Sequence, residues 1–414
     1  MPLPKIIPAL ADLTQDIAGP VPVELLQAWA AGGQDLSAAA ALLGRFQIQG
    51  TVVSTDTSGL SRLTQEADLL DVLSLISEPK EIIYALGREI GGRAVGTWVA
   101  DNTEMFYPES VEPDTVVDAM AEVQHRIGER LKLRIGMCVH SGTFYEIGQG
   151  LYGGEAERVE YLAEKCAGPG EILLTERVAR QLGENTSGVL TPKTFQHEDF
   201  TEQALLLPPG RRMAELQERD RAYPQPYPED FYKLLPHFHD PAERAQMKQR
   251  VYDRWLRERV VVFLARHQEP GSRTMADMLD DLVINALMDT VVREAAQSSE
   301  HIASSGAGLA ILTFANPQDA VDFARSAQAQ LAANQLPVAA GIDAGPVLLF
   351  ENARGPSGIA GNAINVASKL AEDIGATGSI HVTEQAASQL GFHEARDTFV
   401  TKISGMELRG IVIR

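Results

Sequence analysis

The sequence predicts an α+β chain built from two copies of one domain, and three observations carry that reading. Residues 133–182 and 339–390 state the same passage twice. Each runs strand, a turn ending in Gly (Gly142 and Gly345), strand, Gly-rich loop and helix, then G-x-I-x-x-T into a further strand and helix. Each passage also closes a longer stretch in which strand, helix, hairpin and helix follow in one order, the split βαβ, ferredoxin-like plan. The period, roughly two hundred residues, is too long for a solenoid and fits a duplicated domain. If such copies pair face to face, a site at their interface can be divided between them. One copy can then lose what the other supplies.

Residues 1–47 form an N-terminal helical segment, with apolar residues at helical spacing over 23–29 and 36–43 and Gly32-Gly33 between. It is expected to pack on the first copy, with a dimer contact as the alternative. The first copy spans 48–190. It begins with a strand over 49–55, then a helical stretch over 67–90 broken near Pro79, a hairpin after Gly91-Gly92, and a helix over 114–131 behind Pro113. Residues 191–258 read as a Pro-rich linker and a connecting helix. Pro208, Pro209, Pro224, Pro226, Pro228 and Pro236 exclude long helices and central strands. Tyr223, Tyr227, Phe231, Tyr232 and Phe238 give this stretch something to pack with. Asp240-Pro241-Ala242-Glu243 is a strong helix start, with Asp240 as cap and Pro241 at the first position. The second copy spans 259–414, with a strand over 260–265, helices over 275–296 and 317–333, and strands flanking Gly306-Ala307-Gly308.

Composition bounds the function. The 414 residues accommodate two domains at roughly 100–200 residues each. A net charge of −20 argues against nucleic acid as partner, because phosphate neutralisation needs clustered Lys and Arg. It leaves room for a nucleotide held by a few local cations and a metal. Cys138 and Cys166 sit in no metal spacing and give no disulfide framework. No apolar run reaches ~18 residues, so no membrane insertion is expected. The start of the chain carries no signal-peptide pattern, and a cytoplasmic protein is expected.

The residues that can do chemistry fall into two halves. Asp56 ends an apolar strand and opens Asp56-Thr57-Ser58-Gly59-Leu60-Ser61, a carboxylate beside a turn whose backbone N–H groups can face phosphate. Asp101 lies at a hairpin tip that the ferredoxin-like plan sets beside the first strand. Two convergent carboxylates are usual equipment for divalent cations in phosphoryl or nucleotidyl transfer. Singly, Asp56 reads as a local cap and Asp101 as a turn residue. In the second copy, Asn365 and Lys369 are one helical turn apart on one face, an amide for a sugar and a cation for phosphate. Taken alone they read as an exposed polar face. At the positions matching Asp56 and Asp101 the second copy is read to carry Arg266 and Ala307. At those matching Asn365 and Lys369 the first copy carries Glu157 and Tyr161. Arg266, Glu157 and Tyr161 are expected to line a degenerate twin of the site, closed by an ion pair or open to a small anion. His237 and His239 alternate and suggest a metal site, without a third ligand nearby.

At these residues the chain resembles, twice, the class III nucleotidyl cyclase catalytic domain. Asp56-Thr57-Ser58-Gly59-Leu60-Ser61 is similar to that family's D-I-x-G-F-T metal motif, and Ala100-Asp101 to its second metal Asp. Residues 361–370, Gly361-Asn362-Ala363-Ile364-Asn365-Val366-Ala367-Ser368-Lys369-Leu370, are similar to its G-x-x-V-N-x-A-x-R-L motif. The resemblance implies two cyclase homology domains forming an intramolecular pseudo-heterodimer. It implies two ions, Mg²⁺ or Mn²⁺, on Asp56 and Asp101, a phosphate-facing turn from Thr57 through Ser58, Gly59, Leu60 and Ser61, ribose orientation by Asn365, and charge stabilisation by Lys369. The implied activity is a phosphorus-oxygen lyase converting a nucleoside triphosphate, ATP first, into its 3′,5′-cyclic monophosphate and pyrophosphate.

Four positions depart from the family pattern. Lys369 stands where the family has Arg, keeping charge without the bidentate fork. Ala303 and Gly358 stand where adenylyl members carry base-reading residues, and Ala100 replaces Gly. These departures support an alternative, a cyclase-like pseudoenzyme that binds a nucleotide or a partner as a regulatory scaffold. A regulatory protein or a small anionic effector is the further partner this family plan admits.

Overall fold

The computed structural model describes residues 21–58, 68–98, 101–183, 189–196, 201–238, 241–266, 274–296, 301–306, 308–352, 355–390, 397–403 and 406–413. Two helices come first, α1 (Val23–Ala31) and α2 (Leu36–Leu43), the second capped by the Asp35 carboxylate accepting from Ala38 N at 2.8 Å. The first copy follows as β1 (Gln47–Thr57), α3 (Leu69–Glu89), β2 (Arg93–Ala94), β3 (Thr103–Pro108) and α4 (Pro113–Arg130). It continues through β4 (Ile135–Ile147), β5 (Gly150–Tyr152), α5 (Gly154–Tyr161), β6 (Ile172–Leu174), α6 (Glu176–Ala179), β7 (Thr191–Gln196) and β8 (Thr201–Leu206). Helices α7 (Glu229–Phe238) and α8 (Pro241–Trp255) lead into β9 (Leu256–Ala265), α9 (Met275–Ala296), β10 (Ile302–Gly306), β11 (Leu309–Phe314) and α10 (Pro317–Ala333). The chain ends with β12 (Ala339–Asn352), β13 (Gly355–Ala360), α11 (Asn362–Lys369), β14 (Ile380–Thr383), α12 (Glu384–Ala387), β15 (Asp397–Ile403) and β16 (Met406–Ile413).

The two sheets correspond strand for strand. One runs β2-β3-β1-β4-β6-β8-β7 with β5 on β4, the other β10-β11-β9-β12-β14-β16-β15 with β13 on β12. Within the first, β2-β3-β1-β4 is antiparallel throughout, the strand order of the predicted split βαβ plan. Successive residues of a strand face opposite sides of the sheet. Val53 joins the core under α3 and α4 with Ile83, Met120 and Val123, while Val52 joins Phe144, Val159 and Leu162 under α5. In the second copy Val262 and Leu264 face α9 and α10, and Val261 and Phe263 face α11.

Two boundaries differ from the sequence reading. The first sheet runs on to Leu206, past residue 190, because β7 and β8 form its edge hairpin. Pro192 is tolerated there, since the outer strand of an edge needs no donor on its open side. Helix α3 also runs unbroken through Pro79. The lost hydrogen bond is spanned by burial along the helix, from Leu70 to Gly87.

Each copy is preceded by a helix pair, and each pair packs on the first long helix of the other copy. Leu25, Leu26, Trp29 and Leu43 pack with Leu279, Leu282 and Val283 of α9 and with Ile147 of β4. The Trp29 indole N–H donates to Asp280 Oδ1 at 2.7 Å. The N-terminal segment thus touches both copies, where the sequence suggested packing on the first, with a dimer contact as the alternative. On the opposite side Phe231, Leu235, Met247, Val251 and Trp255 pack with Leu70, Leu73 and Ile76 of α3 and with Leu348 and Phe350 of β12. Lys248 Nζ and the Tyr252 hydroxyl, each 2.6 Å from Asp68, fasten this side to the cap of α3.

Candidate functional site

Strand β1 delivers Asp56 to its C-terminal end, opposite Gly136 of β4. The neighbouring register step pairs Thr55 with Thr103 of β3, their hydroxyls 2.7 Å apart and buried. Because Asp101 lies just before β3, separated from it by Asn102, this pairing brings the two carboxylates near one another. The Thr57 backbone N–H donates to both. Burial, then the Asp101 charge, then Glu164 push Asp56 up to about 7. Burial pushes Asp101 up to about 6, against the pull of Lys80. A buried carboxylate raised further by a neighbouring carboxylate is an arrangement a cation relieves.

Lys80 was not singled out by the sequence reading. It is 3% exposed, on α3, and its Nζ donates to the Trp98 carbonyl at 2.9 Å. Burial lowers it to about 7, against the attraction of Asp101. A signal was present: Lys80 continues the apolar stripe Leu73, Ile76, Ile83 at spacings of four and three, so it had to point inward. Tyr223, from the stretch between the copies, stacks on Trp98 at 5.6 Å, lies 5.6 Å from Lys80 Nζ, and hydrogen-bonds Ser77 at 3.0 Å. Trp98 N donates to the Pro224 carbonyl at 3.1 Å. Trp98 is therefore pinned from α3 and from residues 223–224.

Helix α11 lies on the sheet of the second copy, where Gly341 allows the closest approach. A Cβ there would stand 1.9 Å from the Ala367 carbonyl oxygen. Asn365 and Lys369 are both partly buried. Lys369 Nζ lies 3.8 Å from Asp373 Oδ2. Helices α5 and α11 have equal length, and each continues into a π-turn of five residues, Leu162–Cys166 and Leu370–Ile374. Glu157 and Tyr161 therefore stand where Asn365 and Lys369 stand, and Glu164 and Lys165 where Glu372 and Asp373 stand. The two π-turns lie near enough for their charges to act on one another. Lys165 hydrogen-bonds Glu164 and feels both Asp373 and Asp56, which raise it against burial. Glu372 is pushed up to about 7 by burial, then by Asp373, with Lys369 opposing and Glu164 adding. Charge thus runs from Asp56 through Lys165 and Asp373 to Lys369, which links the two halves of the candidate site. Lys165 carried no sequence signal, because the π-turn that aims it is not written in any spacing.

The degenerate twin is not assembled as the sequence suggested. Thr55 pairs with Met137 and Thr103, whereas Leu264 pairs with Ala340 and Ala310. Strand register therefore sets Ala265, not Arg266, in the place of Asp56. A one-residue slip moves a side chain to the other face of the sheet. Arg266 accordingly points to α9 and pairs with Asp281 at 2.6 Å. Tyr161 hydrogen-bonds Cys166 on the opposite face of the other sheet. Arg266 is ion-paired with Asp281 rather than across a degenerate pocket, and Arg266, Glu157 and Tyr161 do not line one pocket. Ala303 is buried, and a Cβ on Gly358 would sit 3.6 Å from the Pro226 carbonyl oxygen and 3.7 Å from the Tyr227 ring. Residues 226–227 thus fill the space in front of Gly358. His237 is exposed and bonded to Glu243 at 2.7 Å. Gly59, Leu60, Ser61, Ala100, His239 and Ala307 lie outside the described residues.

Among the described residues no group of three or more His, Cys, Asp or Glu is placed to hold a metal ion. The Asp56–Asp101 pair still fits a hard cation. Mg²⁺ is commonly held by one or two carboxylates, its other positions going to water and substrate phosphate. Among the described residues no helix is long and apolar enough to cross a membrane.

No protein-family model matches the chain, and no curated protein does. Among solved structures it is similar to a class III adenylyl cyclase-like ATP-binding protein from Pseudomonas aeruginosa, at 12% identity over 83% of this chain and 85% of that one, with a TM-score of 0.46. It is similar to an adenylyl cyclase from P. aeruginosa at 14% identity over 40% of this chain and 96% of that one, with a TM-score of 0.33. It is similar to the catalytic core of a rhodopsin-guanylyl cyclase with converted specificity, solved with ATPαS, at 14% identity over 39% of this chain and 96% of that one, with a TM-score of 0.34.

Proposed function

We propose that the chain is a nucleotidyl cyclase of the class III type, with one working site between its two copies. The observation that carries this reading is the meeting of Asp56 and Asp101 on the Thr57 amide, joined through Lys165 and Asp373 to Lys369 of the other copy. In the reaction the ribose 3′-oxygen bonds to the α-phosphorus and the bond from that phosphorus to the bridging oxygen breaks. Pyrophosphate leaves, and the 3′-hydroxyl proton passes to solvent. Asp56 and Asp101 would hold the divalent cation, which supplies Lewis-acid polarisation of the phosphates when bound. The Thr57 N–H is held by the two carboxylates and the Ser58 N–H donates to the Arg134 carbonyl at 3.0 Å, so these two amides serve the turn rather than phosphate. Asn365 orients the ribose. Lys369 exchanges Asp373 for charge on the transferring phosphate.

A second reading has its own observation. Ala303 and Gly358 offer the base no polar side chain, and residues 226–227 pack against Gly358. This favours a nucleotide-binding protein without turnover. Product analysis decides between them. Pure chain is incubated with ATP, GTP, CTP or UTP and Mg²⁺ or Mn²⁺, with Asp56→Asn as control. A cyclic nucleotide from the parent and none from the variant is expected. Binding of non-hydrolysable analogues without any product would establish the second reading instead.

A further inference from the structure

Residues 223–227 run between the two halves of the candidate site. At one end the Pro224 carbonyl accepts from Trp98 N at 3.1 Å and the Tyr223 ring stacks on Trp98, three residues before Asp101. At the other end Tyr227 packs on Phe350 with ring centroids 4.7 Å apart. Phe350 pairs with Gly358 across β12 and β13, and β13 leads through Gly361 into α11, which bears Asn365 and Lys369. A Cβ on Gly358 would meet Phe350 Cδ2 and the Pro226 carbonyl oxygen at 3.6 Å and Tyr227 Cδ1 at 3.7 Å. A methyl therefore just fits there, and a longer side chain would run into the carbonyl or one of the two rings. The stretch is also held in place. Pro224, Pro226 and Pro228 fix the backbone at every second residue. Tyr227 packs further on Phe231 at 5.6 Å and Tyr232 at 6.1 Å, and Phe231 and Phe350 are both buried.

We propose that Pro226 and Tyr227 close the base end of the site, so that the chain takes a nucleoside triphosphate by its ribose and phosphates without reading the base. The inference rests on the nucleotide-site reading above and names the substrate class of that site, ATP, GTP, CTP and UTP alike. Tyr227 is the specificity-determining residue: its ring, held on Phe350, keeps a base away from Gly358.

The test is binding of the α,β-methylene analogues of ATP, GTP, CTP and UTP to the full chain with Mg²⁺, read by calorimetry. The methylene group replaces the oxygen whose bond would break, so binding is seen without turnover. A site that hydrogen-bonds its ligand rejects the analogue lacking that bond by about 10⁴-fold or more. Here the parent's four Kd values should lie within about tenfold of one another. Tyr227→Ala opens the space beside Gly358 and should bind the purine analogues about tenfold more tightly than the parent does. A preference for one base above about tenfold in the parent would overturn the closure and leave the nucleotide site standing. Four equal affinities that Tyr227→Ala leaves unchanged would overturn the role of Tyr227. No binding of any analogue to parent or variant would overturn both the closure and the nucleotide site. If Tyr227→Ala does not fold, Tyr227→Leu replaces it, and the parent's four affinities still decide against the proposal if they diverge.

Discussion

Gly341→Ala offers the sharpest examination of how the sheet positions Asn365 and Lys369. The added methyl would lie 1.9 Å from the Ala367 carbonyl oxygen and 2.8 Å from Leu370 Cβ. Both belong to one helical stretch and neither can rotate away, so α11 must retreat by more than about 1 Å to restore ordinary contact. Overpacking of this kind costs about 1–3 kcal/mol, and the backbone obstacle places this case at the upper end. The first copy supplies an internal control. A methyl on Gly136 would lie 2.8 Å from the Ala167 carbonyl oxygen, a lesser conflict that a shift of a few tenths of an ångström largely relieves. Urea unfolding followed by circular dichroism should rank Gly341→Ala as more destabilised than Gly136→Ala by at least about 1 kcal/mol. The Gly341 variant should also bind a non-hydrolysable nucleoside triphosphate more weakly, because Asn365 and Lys369 move with the helix. A Gly341 variant within about 0.5 kcal/mol of the parent, or a reversed ranking, would refute the claim that contact with β12 sets the height of α11.

Two further outcomes follow from the same structure. Phe231 is 1% exposed and packs on Phe350, Trp255 and Tyr227 at centroid distances of 5.2, 5.9 and 5.6 Å, between α3 of one copy and β12 of the other. Phe231→Ala should cost about 3–5 kcal/mol and split a single unfolding transition into two; one unsplit transition at the parent's midpoint would show that this side does not join the copies. Asp56, raised to about 7 by burial, Asp101 and Glu164, keeps in the folded chain a proton that the unfolded chain releases near its usual 3.8. Its contribution to stability therefore falls as pH rises through that window, and above it the ionised pair calls for a cation. The rise in melting temperature caused by Mn²⁺ should grow from about pH 6 to about pH 8, and Asp56→Asn should flatten it; an equal rise at both would remove Asp56 as the ligand.

What the sequence made readable was whatever local period and punctuation encode. The strand, helix, hairpin and helix order, the bounds of α10, and the helix start at Pro241 all follow from apolar spacing, Gly, Pro and caps. Asn365 and Lys369 follow from one local motif, whereas Asp56 and Asp101, far apart in sequence, could be paired only through the expected strand plan. What was not readable depends on register and tertiary burial. The match of Arg266 to Asp56 was off by one residue, and in a strand one residue is the whole difference between a site and the opposite core. Pro79 signalled a break that burial of α3 overrode. The strand carrying Pro192 reads as linker in the sequence, and it survives because it is an edge. Lys80 was visible only as a misfit in an apolar stripe.

The proximity of the two π-turns shows why the copies are better joined in one chain than paired as identical subunits. Equivalent residues approach one another there, Glu164 near Glu372 and Lys165 near Asp373. In a homodimer of the first copy, Lys165 would face its own image, and two ammonium groups would repel at the centre of the interface. In the single chain the equivalent position holds Asp373, so the contact becomes attractive, and Asp373 also reaches Lys369. One substitution on one side thus compensates Lys165, which in turn serves Asp56, and restrains Lys369 on the other half. Such division of labour is open only to a duplicated chain, where each copy can change without its partner. The same logic allows Glu157 and Tyr161 to stand at the positions matching Asn365 and Lys369, because each copy can change without the other. Charge reversal at Asp373, to Lys, would restore the like-charge contact and is the change that should most weaken the pairing of the copies while leaving each sheet intact.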